Sequence, residues 1–180
     1  MDVNHAAWAF MLCALSPNIS IAEDNPAYSA STSRLSIPYV DSSSQPGFFQ
    51  NVVVEFFKDD LWRLVDFRTG VSVKVIANVE LIKTESFPVQ VFLKISGMNH
   101  AGCSEVGSAN ISILGNKFKV FLYYDPKSVP AADVACVGWV RPFTKTVPLP
   151  VYSLQLGRYE YEVNGIFRGE FTFAIDNRLP

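Results

Sequence analysis

Apolar and polar residues alternate most regularly in the last quarter of the chain. In residues 159–163 and 167–173, apolar side chains or glycine occupy every second position, and Asn164-Gly165 lies between the two runs. A period of two is typical of a β-strand with one buried and one solvated face, and Asn-Gly is typical of a tight turn. The pattern therefore predicts a β-hairpin at the end of the chain.

The side chains of this hairpin also predict its register. A regular two-residue turn would pair Glu162 with Phe167, which sets a charge against a core aromatic residue. A shift of one residue pairs Val163 with Phe167 and brings Glu162 beside Arg168, an opposite-charge pair. We therefore predict that the Asn-Gly turn is followed by one extra residue, a β-bulge, near Ile166 and Phe167.

Short alternating stretches fill most of the chain before this hairpin. No stretch has a helical period, and no internal repeat is present. Many short strands separated by turns predict an antiparallel sandwich or barrel. The stretches span residues 35–40, 52–57, 61–67, 71–83, 87–96, 110–114, 117–123 and 134–143, with turn sequences such as Asp59-Asp60 and Gly115-Asn116 between them.

The segment Arg68–Gly70 separates two groups of strands. We predict an all-β protein in which a small three-stranded β-meander, residues 34–68, precedes an immunoglobulin-like antiparallel β-sandwich, residues 71–176. A meander of this size is only marginally stable alone, so it must dock on something. Four apolar residues on one face of a sandwich strand are predicted core positions: Val89, Val91, Leu93 and Ile95.

Residues 1–22 differ from the rest of the chain. They contain no Lys or Arg, Ala6–Leu15 is an unbroken apolar run, and the small residues Ser20 and Ala22 precede Glu23. These features predict a signal peptide over residues 1–22 and a secreted or periplasmic location. The alternative is a buried N-terminal strand or helix. Residues 23–33 are polar and predict a flexible leader.

The cysteine count agrees with export. Cys13 would leave with the signal peptide, and Cys103 and Cys136 would remain as an even pair without Cys-x-x-Cys spacing. In an oxidising compartment we expect them to form a disulfide. A cross-link over a loop of this length stabilises the fold by about 4 kcal/mol in the chain-entropy model.

Composition excludes several classes of protein. The chain is 49% hydrophobic and 13% aromatic, so it can build a substantial core. Its formal charge is only −2 and no basic block is present, which argues against a nucleic-acid binder. The apolar run Ala6–Leu15 is shorter than the roughly 20 residues that a membrane span needs. We expect neither a nucleic-acid partner nor a membrane span.

The sequence beyond residue 22 contains few residues that could bind a metal or a cofactor. His100 is the one histidine beyond residue 22, and both remaining cysteines are expected to be paired. Zinc or copper sites need further nitrogen or sulfur ligands. We therefore predict no metal and no cofactor. A copper-handling protein with Met98 and His100 as soft donors stays as an alternative.

Catalytic constellations are also absent from the sequence. No Gly-x-Ser-x-Gly elbow is present, and no free thiolate is expected. The paired carboxylates Asp59-Asp60 lie in a predicted turn, and Glu160 and Glu162 lie on the wet face of a predicted strand. We therefore predict that the protein is not an enzyme.

The tripeptide Arg141-Pro142-Phe143 is similar to one known interaction loop. Chagasin-type cysteine-protease inhibitors are immunoglobulin-like and carry an Arg-Pro-aromatic loop. Their Asn-Pro-x-Thr-Gly loop has no counterpart in this chain. Arg141 and Phe143 are therefore candidate interaction residues, and a protease-inhibitor or chaperone-like role is an alternative function.

Several pieces of the chain, in order, resemble a group of exported bacterial β-sandwich proteins of uncharacterised function. The resemblance covers residues 84–180 and implies export, a disulfide and a sandwich, with no catalytic residue to carry over. Ala101-Gly102-Cys103 departs from the commoner Asp-Gly-Cys form. The matching pieces are residues 85–91, 102–103, Cys136, 142–143, 147–149, 156–165 and 176–180.

Together these features predict an exported, non-enzymatic β-sandwich protein that binds a protein or an envelope component. The pattern leaves the ligand and the oligomeric state open. It also leaves open whether residues 34–68 pack on the sandwich.

Overall fold

The computed structural model describes residues 25–99, 104–129 and 138–179. Within these ranges every regular element is a β-strand, so the all-β prediction is confirmed. The eleven strands are β1 Ala27–Ser29, β2 Arg34–Val40, β3 Phe49–Phe56, β4 Trp62–Thr69, β5 Ile76–Lys83, β6 Val91–Asn99, β7 Val106–Leu114, β8 Lys117–Tyr124, β9 Arg141–Leu149, β10 Gly157–Val163 and β11 Phe167–Phe173.

The strands form three sheets. The first four make the N-terminal sheet, in the order β1-β2-β3-β4. The other seven make the sandwich, with one sheet in the order β11-β10-β8-β7 and the other in the order β5-β6-β9. The inward side chains of these two sheets form the core between them, as in a β-sandwich.

One strand pair of the sandwich is parallel. Glu160–Val163 of β10 pair with Lys117–Val120 of β8 in the same direction, whereas the other pairs among the described strands are antiparallel. In immunoglobulin domains strand C takes the place beside strand F. Here the second strand of the β7–β8 hairpin takes that place, and this reverses the direction of the pair.

The predicted core face on β6 is confirmed. Val91, Leu93 and Ile95 are buried, and Val89 packs against the same cluster from the segment just before β6. The facing sheet contributes inward side chains from three strands. These are Phe118, Val120 and Leu122 from β8, Tyr159, Tyr161 and Val163 from β10, and Phe171 and Phe173 from β11.

The predicted register of the terminal hairpin is confirmed. Val163 pairs with Phe167, and Glu162 pairs with Arg168. The Ile166 N–H donates to the Val163 carbonyl at 3.0 Å, which closes a tight turn and leaves Ile166 as the extra, exposed residue. Asn164 lies in the left-handed region, with φ of 47°.

The segment predicted as a flexible leader contains a short strand that the sequence pattern does not predict. β1 pairs with β2, and Tyr28 lies opposite Leu35. This strand is only three residues long and its pattern is too short to show a period. It adds a fourth strand to the three that the sequence predicted for residues 34–68. The boundaries of the predicted domains stay predictions.

The N-terminal sheet packs on the outer face of β8. The Tyr123 hydroxyl donates to the Pro46 carbonyl at 2.9 Å, and the Tyr123 ring lies over Gly70. The side chain of Asn110 fills the space where a β-carbon on Gly47 would stand. β8 is therefore buried on both faces, with Phe121 and Tyr123 directed away from the sandwich core.

Candidate binding surface

One face of the N-terminal sheet is apolar across all four strands. Tyr28, Leu35, Val54 and Leu64 are register partners on successive strands, and therefore share a face. On the next row Phe56 pairs with Trp62. We call these six residues the apolar face.

The apolar face is exposed to a degree that is unusual for such residues. Tyr28 is 58% exposed, Leu64 54%, Trp62 49% and Phe56 39%. The Trp62 ring makes edge-to-face contacts with Phe56 at 5.6 Å and with Tyr28 at 6.4 Å between ring centroids. These contacts fix the aromatic rings against one another, and no described part of the chain covers them.

The opposite face of the same sheet carries one row of polar residues that bind one another. Ser29, Arg34, Glu55 and Arg63 are register partners one position away from the apolar row. Arg34 and Arg63 both bind the Glu55 carboxylate, at 3.3 and 2.5 Å. The hydrogen bond from Arg63 lowers the pKa of Glu55, and Arg34 adds to the effect. Alternation along the strands thus separates an ion-paired face from an apolar one.

The outer edge of this sheet is also open. β4 is the last strand of the sheet, and all eight of its residues are exposed. An edge strand presents backbone donors and acceptors that can pair with another chain. The β3–β4 connection brings the chain around at Asp59 and Asp60, both with positive φ, and places the exposed Phe57 and Leu61 at the tip.

The candidate interaction residues Arg141 and Phe143 lie far along the chain from this surface, at the start of β9. Arg141 and Pro142 are exposed, but the Phe143 side chain is half-buried, contacts the core cluster and packs over Gly97. The tripeptide is thus part of a paired strand, opposite residues 97–99 of β6. Its role in binding stays a prediction.

The other predicted site residues lie mostly outside the described residues. Cys103, Cys136 and His100 are among them, so the disulfide and the copper alternative stay predictions. Met98 is exposed on β6, opposite Pro142. In the described ranges no three His, Cys, Asp or Glu side chains gather as metal ligands.

The paired carboxylates of β10 are held in ion pairs or exposed. Glu162 accepts from Lys117 at 2.7 Å and from Arg168 at 3.1 Å. The Lys117 hydrogen bond lowers the pKa of Glu162, and Arg168 adds to the effect. Glu160 is exposed and lies opposite Glu170. A lowered pKa keeps Glu162 ionised, which is the opposite of what a general acid needs at neutral pH.

Sequence reasoning missed the apolar face as a site, although part of its signal was present. The alternation predicts strands that contain Phe56, Trp62 and Leu64, but it does not say whether the apolar side of a sheet is covered. Tyr28 lies in the segment that is predicted as a flexible leader.

Two asparagines of the sandwich bind backbone groups of other segments through their side-chain amides, and the sequence pattern does not predict this. We call each of these a clamp. Asn177 is buried; its Oδ1 accepts from the Val89 N–H at 2.7 Å, and its Nδ2 donates to the Val89 and Val151 carbonyls at 2.9 Å. Asn164 binds the backbone of Leu122 and Val73 through its side-chain amide. Both residues fall in pieces of sequence that carry the family resemblance, and here their roles are structural.

None of the described residues forms a helix long and apolar enough to cross a membrane.

Comparison with known proteins assigns the sandwich to a family. Residues 93–173, from β6 to the end of β11, match the ORF11 beta-sandwich domain. Two proteins of Herpetosiphon aurantiacus, uncharacterized 10.2 kDa proteins in the HgiBIM and HgiEIM 5' regions, are each 30% identical over 81 residues, which is 45% of this chain and 93% of theirs. A third, in the HgiCIIM 5' region, is 29% identical over 92 residues, 51% of this chain and 93% of its own.

No solved structure matches the chain. The N-terminal sheet lies outside the residues that match the family, so the apolar face is not part of the matched domain. The matches to the family and to its relatives lie in the sandwich. On these matches, the chain belongs to the ORF11 β-sandwich domain family.

Proposed function

We propose that this protein is an exported, non-enzymatic module that binds another protein through the apolar face of its N-terminal sheet. The observation that carries the proposal is the exposure of Tyr28, Trp62 and Leu64, each about half accessible to solvent on one side of a sheet. Apolar surface of this kind gains free energy when it leaves water, at about 25 cal/mol per Å². Larger patches of this type mark interaction sites.

The composition of the apolar face indicates what it would bind. Its six residues carry no charge, and two of its aromatic residues, Trp62 and Tyr28, are of the types enriched where binding energy concentrates. The ion pairs of Glu55 lie on the other side of the sheet. The expected partner surface is therefore an apolar, weakly charged protein surface, and a strongly charged ligand such as a nucleic acid is disfavoured.

Two further observations support the non-enzymatic part of the proposal. Ion pairing with Arg63 lowers the pKa of Glu55, and ion pairing with Lys117 lowers the pKa of Glu162. Neither has the raised pKa that a general acid requires near neutral pH. The apolar face itself contains no His, Ser, Thr, Cys, Lys, Asp or Glu.

Export is supported by sequence features that lie outside the described residues. The apolar run Ala6–Leu15, the small residues before Glu23 and the even pair Cys103 and Cys136 agree with a secreted or periplasmic protein. Expression of the full chain in an exporting host, followed by fractionation and intact-mass measurement, tests this part. A chain that stays in the cytoplasm with residues 1–22 attached would contradict it.

Affinity capture from envelope extract, with matched variants as bait, tests the binding surface. Leu64→Glu places a charge on the apolar face, and Ser36→Glu places the same charge on the polar face of the same sheet. We expect captured proteins to be lost with Leu64→Glu and retained with Ser36→Glu, and we expect purified partners to show the same difference in dissociation constant. Equal capture by both variants would refute the proposed surface.

Two additional measurements address the alternative functions. Arg141→Ala is expected to leave capture unchanged; loss of capture with this variant would favour an inhibitor-like interaction at β9. Calorimetric titration with Cu(I) is expected to show no micromolar binding. Robust turnover in a broad hydrolase and transferase screen would refute the non-enzymatic assignment.

A further inference from the structure

Among the described residues, no second layer packs on the apolar face of the N-terminal sheet. A sheet with an apolar face buries that face against another element. Here the sandwich contacts the N-terminal sheet through the β2–β3 loop, at Pro46 and Gly47, and at Gly70. Arg68 of β4 also donates to the Pro126 carbonyl of the sandwich at 3.2 Å. None of these contacts covers Tyr28, Trp62 or Leu64, which stay about half exposed. The second layer of this sheet must therefore come from outside the described residues.

The size of the apolar face matches a small, reversible interface. At the exposures given above, Tyr28, Phe56, Trp62 and Leu64, with the half-buried remainder of the face, present roughly 500 Å². Two such faces packed together would bury about 1,000 Å² in total, which is below the roughly 1,200–2,000 Å² of stable complexes and within the range of weak, transient contacts. An interface of that size suits association in the micromolar range rather than a permanent dimer.

The charge distribution favours an identical partner. The apolar face carries no charged residue, so two copies of it can approach without like-charge repulsion. The charged cluster of Glu55 with Arg34 and Arg63 lies on the opposite side of the sheet, and its members are paired with one another. A strongly charged partner would gain no attraction from this face.

We infer that the apolar face binds the apolar face of a second copy of this chain. Two N-terminal sheets would then pack face to face about a two-fold axis, as the two sheets of a sandwich do, at a separation of about 10 Å. Trp62 and Leu64 of each copy would become buried against the other. This inference rests on the proposed function, because it names the partner of the same surface.

Sedimentation velocity tests the inference on the protein purified from an exporting host. Intact mass first establishes whether residues 1–22 are present. From about 1 to 100 µM, we expect the wild-type mass to rise from that of one chain to that of two. Leu64→Glu is expected to raise the dissociation constant at least about a hundredfold, and Trp62→Ala at least about tenfold. Ser36→Glu, the matched control, should change it by no more than about twofold.

The inference is overturned if the wild-type protein stays monomeric over this range, or if Leu64→Glu and Trp62→Ala dimerise as tightly as the wild type. Because both replaced side chains are about half exposed, the variants should keep the wild-type circular dichroism spectrum. A monomer that retains residues 1–22, and whose β4 amides exchange faster once those residues are removed, would identify that segment as the occupant instead.

The capture experiment separates this inference from the proposed function. A monomeric protein whose captured partners are lost with Leu64→Glu would refute the second copy and leave the proposed function standing. A dimer that is sensitive to Leu64→Glu, with no other protein captured, would support the second copy and limit the function of this face to self-assembly.

Discussion

Tyr123 of the sandwich donates its hydroxyl hydrogen bond to the carbonyl of Pro46, across the junction with the N-terminal sheet, at 2.9 Å. The donor is buried, and its ring lies over Gly70 at the point where the chain passes from one unit to the other. One side chain therefore joins the β2–β3 loop, the connecting segment and β8.

Replacement of this hydroxyl tests the junction. Tyr123→Phe keeps the ring and removes the donor, so the Pro46 carbonyl loses its partner. We expect the free energy of unfolding to fall by about 1 kcal/mol. Chemical denaturation of Tyr123→Phe and wild type measures the difference. The control is Tyr152→Phe at an exposed position, which should change stability by less than about 0.5 kcal/mol; equal effects of the two variants would contradict this role.

The same residue predicts a loss of stability in alkali. Burial raises the pKa of Tyr123 to about 12, and the Asp41 carboxylate adds to the rise. In the unfolded chain tyrosine titrates near about pH 10. The folded state thus holds the proton to higher pH, so the stability from neutral Tyr123 is complete below about pH 10 and is lost as the pH rises through 12.

Phenolate absorbance measured against pH checks this. We expect a late ionisation in wild type that is missing from Tyr123→Phe and still present in Tyr152→Phe. Burial also raises the pKa of Tyr161, which therefore contributes to the upper part of the curve in all three proteins. If the absorbance curve of Tyr123→Phe kept the late ionisation seen in the wild type, the Tyr123 phenol would not be the group with the raised pKa.

Replacement of Gly169 by a residue with a side chain is predicted to destabilise the fold. It lies opposite Tyr161 across the terminal hairpin, and the Tyr161 phenol occupies the position that a β-carbon at residue 169 would need. Gly169→Ala is therefore expected to lower the free energy of unfolding by about 1–3 kcal/mol through overpacking. Gly138→Ala is the matched control, because nothing lies near a β-carbon at that site. In thermal denaturation, Gly169→Ala should unfold at a clearly lower temperature than Gly138→Ala. Equal unfolding temperatures would refute the clash between residue 169 and Tyr161.

The Asn177 clamp is expected to matter more than its position near the chain end suggests. Its amide satisfies the N–H and carbonyl of Val89 and the carbonyl of Val151. Asn177→Ala leaves these groups without partners and should cost about 2–4 kcal/mol. Asn177→Asp keeps an acceptor for the Val89 N–H but sets a carboxylate against two carbonyl oxygens, so it should not restore stability. Full recovery with Asp would show that only the Val89 N–H contact matters.

The cysteine pair gives a prediction that depends on export. If Cys103 and Cys136 are joined, the purified protein should lack free thiols from these residues, and the double serine variant should be less stable by about 4 kcal/mol. Thiol labelling under denaturing conditions, with and without reductant, measures the first point, and denaturation measures the second. Free thiols at both positions in the exported protein would contradict the pairing.

The features that the sequence predicted correctly depend on neighbouring residues. The terminal register followed from which pairs, such as Val163 with Phe167, keep charge off an apolar face, and the structure has those pairs. The two-residue turn at Gly115-Asn116 and the core face of β6 followed from the same local alternation. Each of these needs only a strand and its adjacent partner.

The features that the sequence did not predict depend on distant parts of the chain. The parallel pair β8–β10 joins segments about forty residues apart, and alternation carries no information about strand direction. The three residues of β1 form a strand by pairing with the edge of β2, and their own pattern is too short to predict this. The Asn177 clamp joins a residue near the chain end to Val89, and the openness of the apolar face is a property of the whole fold.

The burial of β8 on both faces has a consequence for how the protein comes apart. A chain that lost its N-terminal sheet would present Phe121 and Tyr123 to water, so the sandwich cannot keep its native outer surface alone. The two units should therefore melt in a single cooperative transition, and a cut near Gly70 should yield fragments that stay associated rather than a free, soluble sandwich.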